Sequence, residues 1–167
     1  MSKTQIPTGG IADDAVTAAK ATGFGKVGQV VQASTSTAVN VASTSVADTG
    51  LTVNITPTAS TSKVLVQVNQ SILTDIDTTG GNSKIKLLRG STTVIDFTTN
   101  IARVEAGGAS SAKFGNLTTF SFLDSPSTTS ETTYKTQGAI SSTSNNGTAR
   151  FQNSSVPSVI TVTEILA

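Results

Sequence analysis

The chain is 167 residues long, enough for a single domain and a short appendage. Its net charge is +1, and the charged residues are scattered without a basic cluster, which argues against nucleic-acid binding. The chain contains neither cysteine nor histidine, which excludes disulfide scaffolds, thiol catalysis, and the commonest general base and metal ligand.

The composition favours β-structure over most of the length. Serine and threonine make up nearly a third of the residues, and charged residues only 13%. Threonine favours strands, and long runs of strong helix formers are missing. The longest apolar run is about four residues against the ~20 that a membrane span requires, and the N-terminus lacks the apolar segment of a signal peptide. We therefore expect an all-β protein without a membrane span.

The first 26 residues predict an appendage. Residues 1–10 predict an extended arm, because Pro7 and the two following glycines disfavour regular structure. Residues 11–23 predict the one helix of the chain, with Asp13 as N-cap. Residues 23–28 form a glycine-rich joint that lacks the spacing of a phosphate-binding loop.

From residue 27 onward the sequence predicts short strands with no helix between them. The candidate strands are 27–33, 38–42, 51–56, 63–73, 83–89, 92–97, 101–105, 117–123, 132–136, 148–151 and 157–166. In 63–73, Val64, Val66 and Val68 share one face. Regular spacing of this kind predicts an antiparallel β-sandwich or barrel.

Three connections between these strands carry their own predictions. Asp48-Thr49-Gly50 predicts a turn, and Gly90-Ser91 predicts a tight hairpin. The segment Asn116–Gly138 predicts an antiparallel hairpin, two strands joined by a long loop that contains Pro126. The terminal strand 157–166 alternates in a way that places it inside a sheet.

The aromatic residues of the second half predict core positions. These residues are Phe114, Phe120, Phe122 and Tyr134. Stacking of an aromatic ring on a glycan is the alternative interpretation.

The carboxylates do not predict a catalytic or metal site. The candidates are Asp75, Asp77, Asp96, Glu105, Asp124 and Glu131, which are spread among different predicted hairpins. Asp75 and Asp77 begin a segment similar to a calcium loop, but its twelfth position is Lys86 where a bidentate glutamate is needed. We expect a surface turn there, and we expect no enzyme activity, no metal and no cofactor.

Several segments together resemble a known kind of domain. They are 51–56 with 63–70, Lys86–Arg89 with Gly90, FSFLDSPSTTSETTYKTQ, and the closing TVTEI. Over nearly the whole chain, this order resembles a β-sandwich domain of phage virion proteins, especially cyanophage and marine phage tail-fibre-like and head-decoration proteins. The segment IADDAVTAAKATGFGKVGQVVQ is similar to the linker that precedes such head domains. The resemblance implies a jelly-roll head assembled as a homotrimer.

The function that this resemblance implies is structural. Residues 1–26 would anchor the protein, with Ile6, Ile11, Val16 and Phe24 as anchoring or oligomer contacts, and residues 27–167 would form the head. The protein would be a decoration or cement protein on the capsid surface, with the major capsid protein as partner. The alternative is a short tail fibre or receptor-binding tip, with tail proteins and a host surface glycan as partners.

Overall fold

The computed structural model describes residues 26–77, 80–105, 107, 111–143 and 146–166. The predicted arm and helix, and with them Ile6, Ile11, Val16 and Phe24, lie outside these residues. The division into 1–26 and 27–167 therefore stays a prediction.

The regular secondary structure of the described residues is almost entirely β-strand, which confirms the predicted all-β class. The elements are β1 (Lys26–Thr35), β2 (Val39–Val41), β3 (Ala47–Ile55), β4 (Lys63–Ile76), β5 (Gly81–Arg89), β6 (Thr92–Val104), β7 (Ala112–Asp124), β8 (Thr132–Ile140), β9 (Thr148–Phe151), a 3₁₀ turn (Asn153–Ser155) and β10 (Ser158–Leu166). In β3, β4 and β8, buried and exposed positions alternate over much of the strand, as expected when one face of a sheet packs on a core.

The strands form two antiparallel sheets packed as a sandwich. The first has the order β1-β10-β4-β7, and the short strands β2 and β9 extend it beside the second half of β4. The second has the order β3-β8-β5-β6. Apart from the β5–β6 hairpin, paired neighbours are distant in sequence, and without the short β2 and β9 the two strand orders are those of a jelly roll.

The core lies between the two sheets. Val64, Val66 and Val68 of β4 share one face, as predicted; they are fully buried and pack with Tyr134 of β8 and Val162 of β10. The terminal strand β10 pairs with β1 on one side and β4 on the other, so its predicted interior place in a sheet is confirmed.

The predicted hairpin over Asn116–Gly138 is wrong. Its first strand, β7, pairs with β4 of the first sheet, whereas its second strand, β8, pairs with β3 and β5 of the second sheet. The loop at 125–131 is long enough to cross from one sheet to the other. Local alternation identified both strands but carried no information about their partners.

Two smaller predictions also need correction, and one is confirmed. Asp48-Thr49-Gly50 is not a turn but an irregularity inside β3, where Gly50 has φ +83°. The segments 92–97 and 101–105 are not separate strands, because β6 runs through both. Gly90-Ser91 is the predicted tight hairpin, with Arg89 opposite Thr92.

A polar cluster ties the two sheets together where β7 ends. Tyr134 on β8 donates a hydrogen bond from its hydroxyl to Asp124 Oδ2 at 2.7 Å. Arg89 on β5 contacts both carboxylate oxygens of Asp124 through Nη1, at 2.9 and 2.8 Å. Burial, followed by the hydrogen bond to Asp124, raises the pKa of Tyr134 well above its usual range. Asp124 of the LDSP segment and Tyr134 of the TTYK segment thus join the two sheets by a hydrogen bond.

We expect Tyr134→Phe to lower stability without changing the fold, because it removes one buried hydrogen bond to a charged acceptor. The loss should be about 1–3 kcal/mol, and thermal unfolding measured by circular dichroism should show a lower midpoint. In a double-mutant cycle, the same change should cost less when Asp124 is already replaced by asparagine. An equal cost in both backgrounds would contradict the assigned contact.

Candidate interaction surface

The outer surface of the first sheet is uncharged across all four strands. We call it the neutral face, and it consists of Val30, Gln32 and Ser34 on β1, Val159, Thr161 and Thr163 on β10, Leu65, Gln67, Asn69 and Ser71 on β4, and Leu117, Thr119, Ser121 and Leu123 on β7. These residues alternate with the core positions of the same strands. Charged side chains flank the face only at its ends.

The neutral face is built in rows of short or apolar side chains. One row runs from Val30 through Thr163 and Leu65 to Leu123. Elsewhere, polar neighbours bond to each other, as when Thr119 Oγ1 donates to Asn69 Oδ1 at 2.7 Å. Because these polar groups are paired within the sheet, a partner can cover them at less desolvation cost.

The large exposed apolar side chains of the described residues all lie on this sheet or at the bend before β10. They are Val27, Val30, Phe114, Leu117, Leu123 and Val156, which lie on β1, on β7 and at the bend before β10. The second sheet contributes none of them. The prediction that Phe114 is a core residue is therefore wrong, since it is 43% exposed. Tyr134 is fully buried as predicted, and Phe120 and Phe122 are partly buried against the core.

A shallow groove of about 330 Å³ interrupts the neutral face near one end. Leu73, Leu117 and Val156 supply its apolar lining, and Gly115 lies in its wall. Gly115 is directly opposite Leu73 in the sheet, so the missing side chain leaves space on the strand edge. The groove is thus an apolar depression beside an edge strand.

The outer surface of the second sheet, which we call the charged face, has the opposite character. Lys86 and Asp96 form an ion pair at 2.7 Å, and Lys135 and Asp48 form another at 2.9 Å. Hydrogen bonds from Gln137 and then Lys135 hold the pKa of Asp48 below its usual range. Exposed ion pairs of this kind contribute little to stability but keep a surface hydrated.

A buried carboxylate fixes the end of the neutral face where β1 begins. Glu164 of β10 is fully buried and accepts hydrogen bonds from Gln29 Nε2 at 2.8 Å, Thr58 N at 2.7 Å and Thr58 Oγ1 at 2.8 Å. Burial alone would raise the pKa of Glu164, but these hydrogen bonds lower it to about 2. The glutamate of the closing TVTEI segment therefore ties β1 and the loop after β3 to β10.

A second buried cluster fixes the bend between β9 and β10. Ser158 Oγ accepts from Gln70 Nε2 and from the Ser71 backbone N–H, both at 2.9 Å. Gln70 Oε1 in turn accepts from Thr136 of the second sheet at 2.8 Å. Gln152, at the bend itself, has φ 51° and contacts Ser158. Since the bend leads to Val156, this network positions the apolar wall of the groove.

Five of the six predicted candidate carboxylates, all except Glu131, pair with different partners in the structure. Asp75 is not in a surface turn: it lies in β4, is 8% exposed, and pairs with Arg150 at 2.7 Å and Lys113 at 3.3 Å. Asp77 accepts from Asn146 at 2.7 Å. Over the described ranges, no group of three or more acidic residues could hold a metal ion. No helix in that part of the chain is long and apolar enough to cross a membrane.

Sequence reasoning missed the neutral face, although its signal was present. In 63–73, 117–123 and 159–165, the outward-facing residues are the odd-numbered ones, and all of them except Lys63 are uncharged. The outward-facing residues of β5, by contrast, include Lys84 and Lys86. Strand partners were needed to bring these stretches into one surface.

Known proteins give a limited comparison. No protein-family model matches the sequence, and no curated protein matches it. Among solved structures, one of the infectious bursal disease virus Gt strain is similar, with TM-score 0.38 and 15% identity over 84% of this chain. The virus's VP2 subviral particle is similar with TM-score 0.41 and 13% identity over 84% of this chain. The chain spans only 39% and 38% of those two proteins. We transfer no residue role from them.

We expect Glu164→Gln to destabilise the protein at neutral pH by about 1–3 kcal/mol, because the amide that replaces one oxygen faces the Gln29 donor. The ionised carboxylate has a folded pKa of about 2 against an ordinary 4.5, so its contribution is complete above about pH 4.5 and is lost as the pH falls toward 2. Urea unfolding at pH 6 and pH 3 should therefore show a smaller difference between wild type and variant at pH 3.

The matched control is Glu131→Gln, which changes an exposed loop carboxylate. Its effect should be small at both pH values. A Glu164→Gln effect that is equally large at pH 3 would contradict the role of the ionised carboxylate.

Proposed function

We propose that the protein is a non-enzymatic structural component of a phage virion, a decoration or cement protein on the capsid surface. The observation that carries this proposal is the contrast between the two outer surfaces of the sandwich. Val30, Leu117 and Leu123 are large exposed apolar side chains on the neutral face, whereas ion pairs lie on the outer surface of the second sheet. On this proposal the neutral face lies against the particle and the charged face is turned to solvent.

The chemistry of the neutral face fits a protein partner. Charged residues are depleted in the centres of protein–protein interfaces, and apolar patches rimmed by polar residues mark such sites. Charge flanks the neutral face only beyond its ends, with Lys63 at one end and the Asp75, Lys113 and Arg150 cluster at the other. Jelly rolls occur in viral capsid domains and in lectins, so the fold is compatible with this role.

In this proposal residues 1–26 anchor the head to the major capsid protein. An extended arm adds main-chain hydrogen bonds to a partner, and Ile6, Ile11, Val16 and Phe24 would add apolar contacts. The heads would assemble as homotrimers, so that three arms act together and strengthen a weak individual contact.

The second candidate is a short tail fibre or receptor-binding tip that binds host surface glycans. The observation that favours it is the groove on the neutral face, which is open and lies beside an edge strand. Its lining, however, contains no aromatic side chain on which a sugar ring could stack. We therefore place the decoration role first.

Copy number distinguishes the two candidates. A decoration protein should be present in hundreds of copies per particle, whereas a tail component should be present in a few tens or fewer. Quantitative mass spectrometry of purified virions measures this number directly. Native mass spectrometry of the purified chain should give a trimer, and a monomer at micromolar concentration would contradict the trimer.

A charge in the middle of the neutral face tests its orientation. Gln67→Lys should reduce decoration of particles at least tenfold, because it places an unpaired charge in the proposed interface. Thr52→Lys is the matched control, since Thr52 is an exposed strand residue of the second sheet. The control should decorate normally, and equal loss in both variants would contradict the proposed orientation.

Deletion of residues 1–12 tests the anchor separately. Shortened protein should bind particles at reduced occupancy in a cosedimentation assay. Full occupancy would mean that the arm is not the anchor, whatever the result for the neutral face.

A further inference from the structure

The free edge of β7 differs from the other edges of the sandwich. Natural sheets protect their edge strands with bulges, charges or prolines, because an unpaired edge recruits another strand. The edge strands β1 and β3 each contain a register irregularity, the pairing of β6 with β5 contains two irregularities, and the edge strand β2 is only three residues long. β7 pairs with β4 over thirteen consecutive positions, from Asp124 to Ala112, without any.

The sequence of β7 adds no other protection. Between Lys113 and Asp124 the strand has neither a charged residue nor a proline. Within the described residues, β7 pairs on one side only, with β4. Near one end the Asn116 side chain donates from Nδ2 to the Ile101 carbonyl of β6 at 3.4 Å. From 116 to 124 the main chain on this side of β7 has no strand partner among the described residues.

We propose that this edge pairs with the same edge of a second copy, giving an antiparallel β7–β7 contact about a twofold axis. When 116–124 pairs fully with itself, Phe120 lies opposite the partner copy's equivalent position. Leu117 then lies opposite Leu123 of the other copy, and Thr119 opposite Ser121. Leu117 and Leu123 are 56% and 50% exposed, so each would cover an apolar side chain that is otherwise in water.

Several features favour a second copy over another occupant. The paired stretch carries no charge apart from Asp124 at its end, so two identical edges meet without repulsion across their centre. Its two outward-facing leucines, Leu117 and Leu123, lie at equal distances from Phe120, so pairing centred there matches leucine with leucine. A charged partner would find nothing in the centre of the edge to recognise.

The size of the contact predicts its strength. Nine residues at about 3.3 Å each give a contact ~30 Å long and one strand wide. That is below the roughly 800 Å² per partner of a standard interface. We therefore expect a reversible dimer that dissociates on dilution and is reinforced wherever copies are held close together.

The contact needs only this chain, so it goes beyond the proposed virion role and can fail independently of it. A twofold axis perpendicular to the sheet leaves both neutral faces on the same side. Neighbouring heads would thus share one continuous surface, distinct from any threefold contact.

Disulfide trapping tests the register of this contact. Because the natural chain has no cysteine, every disulfide must form between the introduced cysteines. Directly opposite residues in an antiparallel pair have Cα atoms ~4.5–5.5 Å apart, within disulfide range. Full-length Leu117→Cys and Leu123→Cys proteins should be mixed with oxidised glutathione and analysed on non-reducing gels. The mixture should give at least tenfold more cross-linked dimer than either variant alone, since like positions would be ~20 Å apart.

Two controls complete the test. The first control mixes Val30→Cys with Leu123→Cys protein and tests whether β7 pairs with the β1 edge instead. Efficient cross-linking in this mixture would overturn the proposal. Adding both Thr119→Lys and Ser121→Lys to each cysteine variant should abolish trapping, because lysines would then face each other across the contact. Adding Thr52→Lys to each cysteine variant should leave trapping unchanged. Absence of trapping in the Leu117→Cys and Leu123→Cys mixture, or equal trapping by single variants, would also overturn it. Virion copy number would be unaffected by these outcomes.

Discussion

The pairing of β4 with its neighbours is the constraint on which the rest of the structure depends. β4 is fourteen residues long and pairs along its length with β7 on one side, and with β10 and β9 in succession on the other. Its inward valines form the centre of the core, and its outward residues form the centre of the neutral face. Since side chains alternate strictly along a strand, a one-residue shift in this register would exchange core and surface on every neighbour.

The buried polar groups act on that register. Glu164, Gln70 and Asp124 each bond to residues far away in sequence, and each joins at least two strands or a strand and a loop. A sandwich held only by aliphatic side chains tolerates sliding of one sheet over the other, because apolar contacts are not directional. Buried donors and acceptors lose their partners when the sheets shift, and that loss is costly. We therefore interpret these clusters as specifying the alignment of the sheets.

Local sequence patterns predicted the strands well and their partners poorly. Alternation located β4, β8 and β10, and Gly90-Ser91 correctly predicted the one tight hairpin among these connections. The Asn116–Gly138 segment failed, because the choice between pairing with the next strand and crossing to the other sheet depends on contacts distant in sequence. Arg89 and Asp124 make such a contact, and nothing in the spacing of the two residues indicates it. The neutral face was invisible for the same reason, since it exists only once four separated strands are placed side by side.

The neutral face and the β7 edge are linked by the geometry of the sheet. Leu117 and Leu123 belong to both, because they point outward from the sheet and lie on its last strand. A partner that lies against the face can cover these leucines from above, and a strand beside β7 can cover them from the side. The two contacts do not compete, since one uses side chains on the surface and the other uses the main chain at the edge. Edge pairing would instead extend the surface that the face presents, which strengthens binding to any large partner through the number of heads engaged at once.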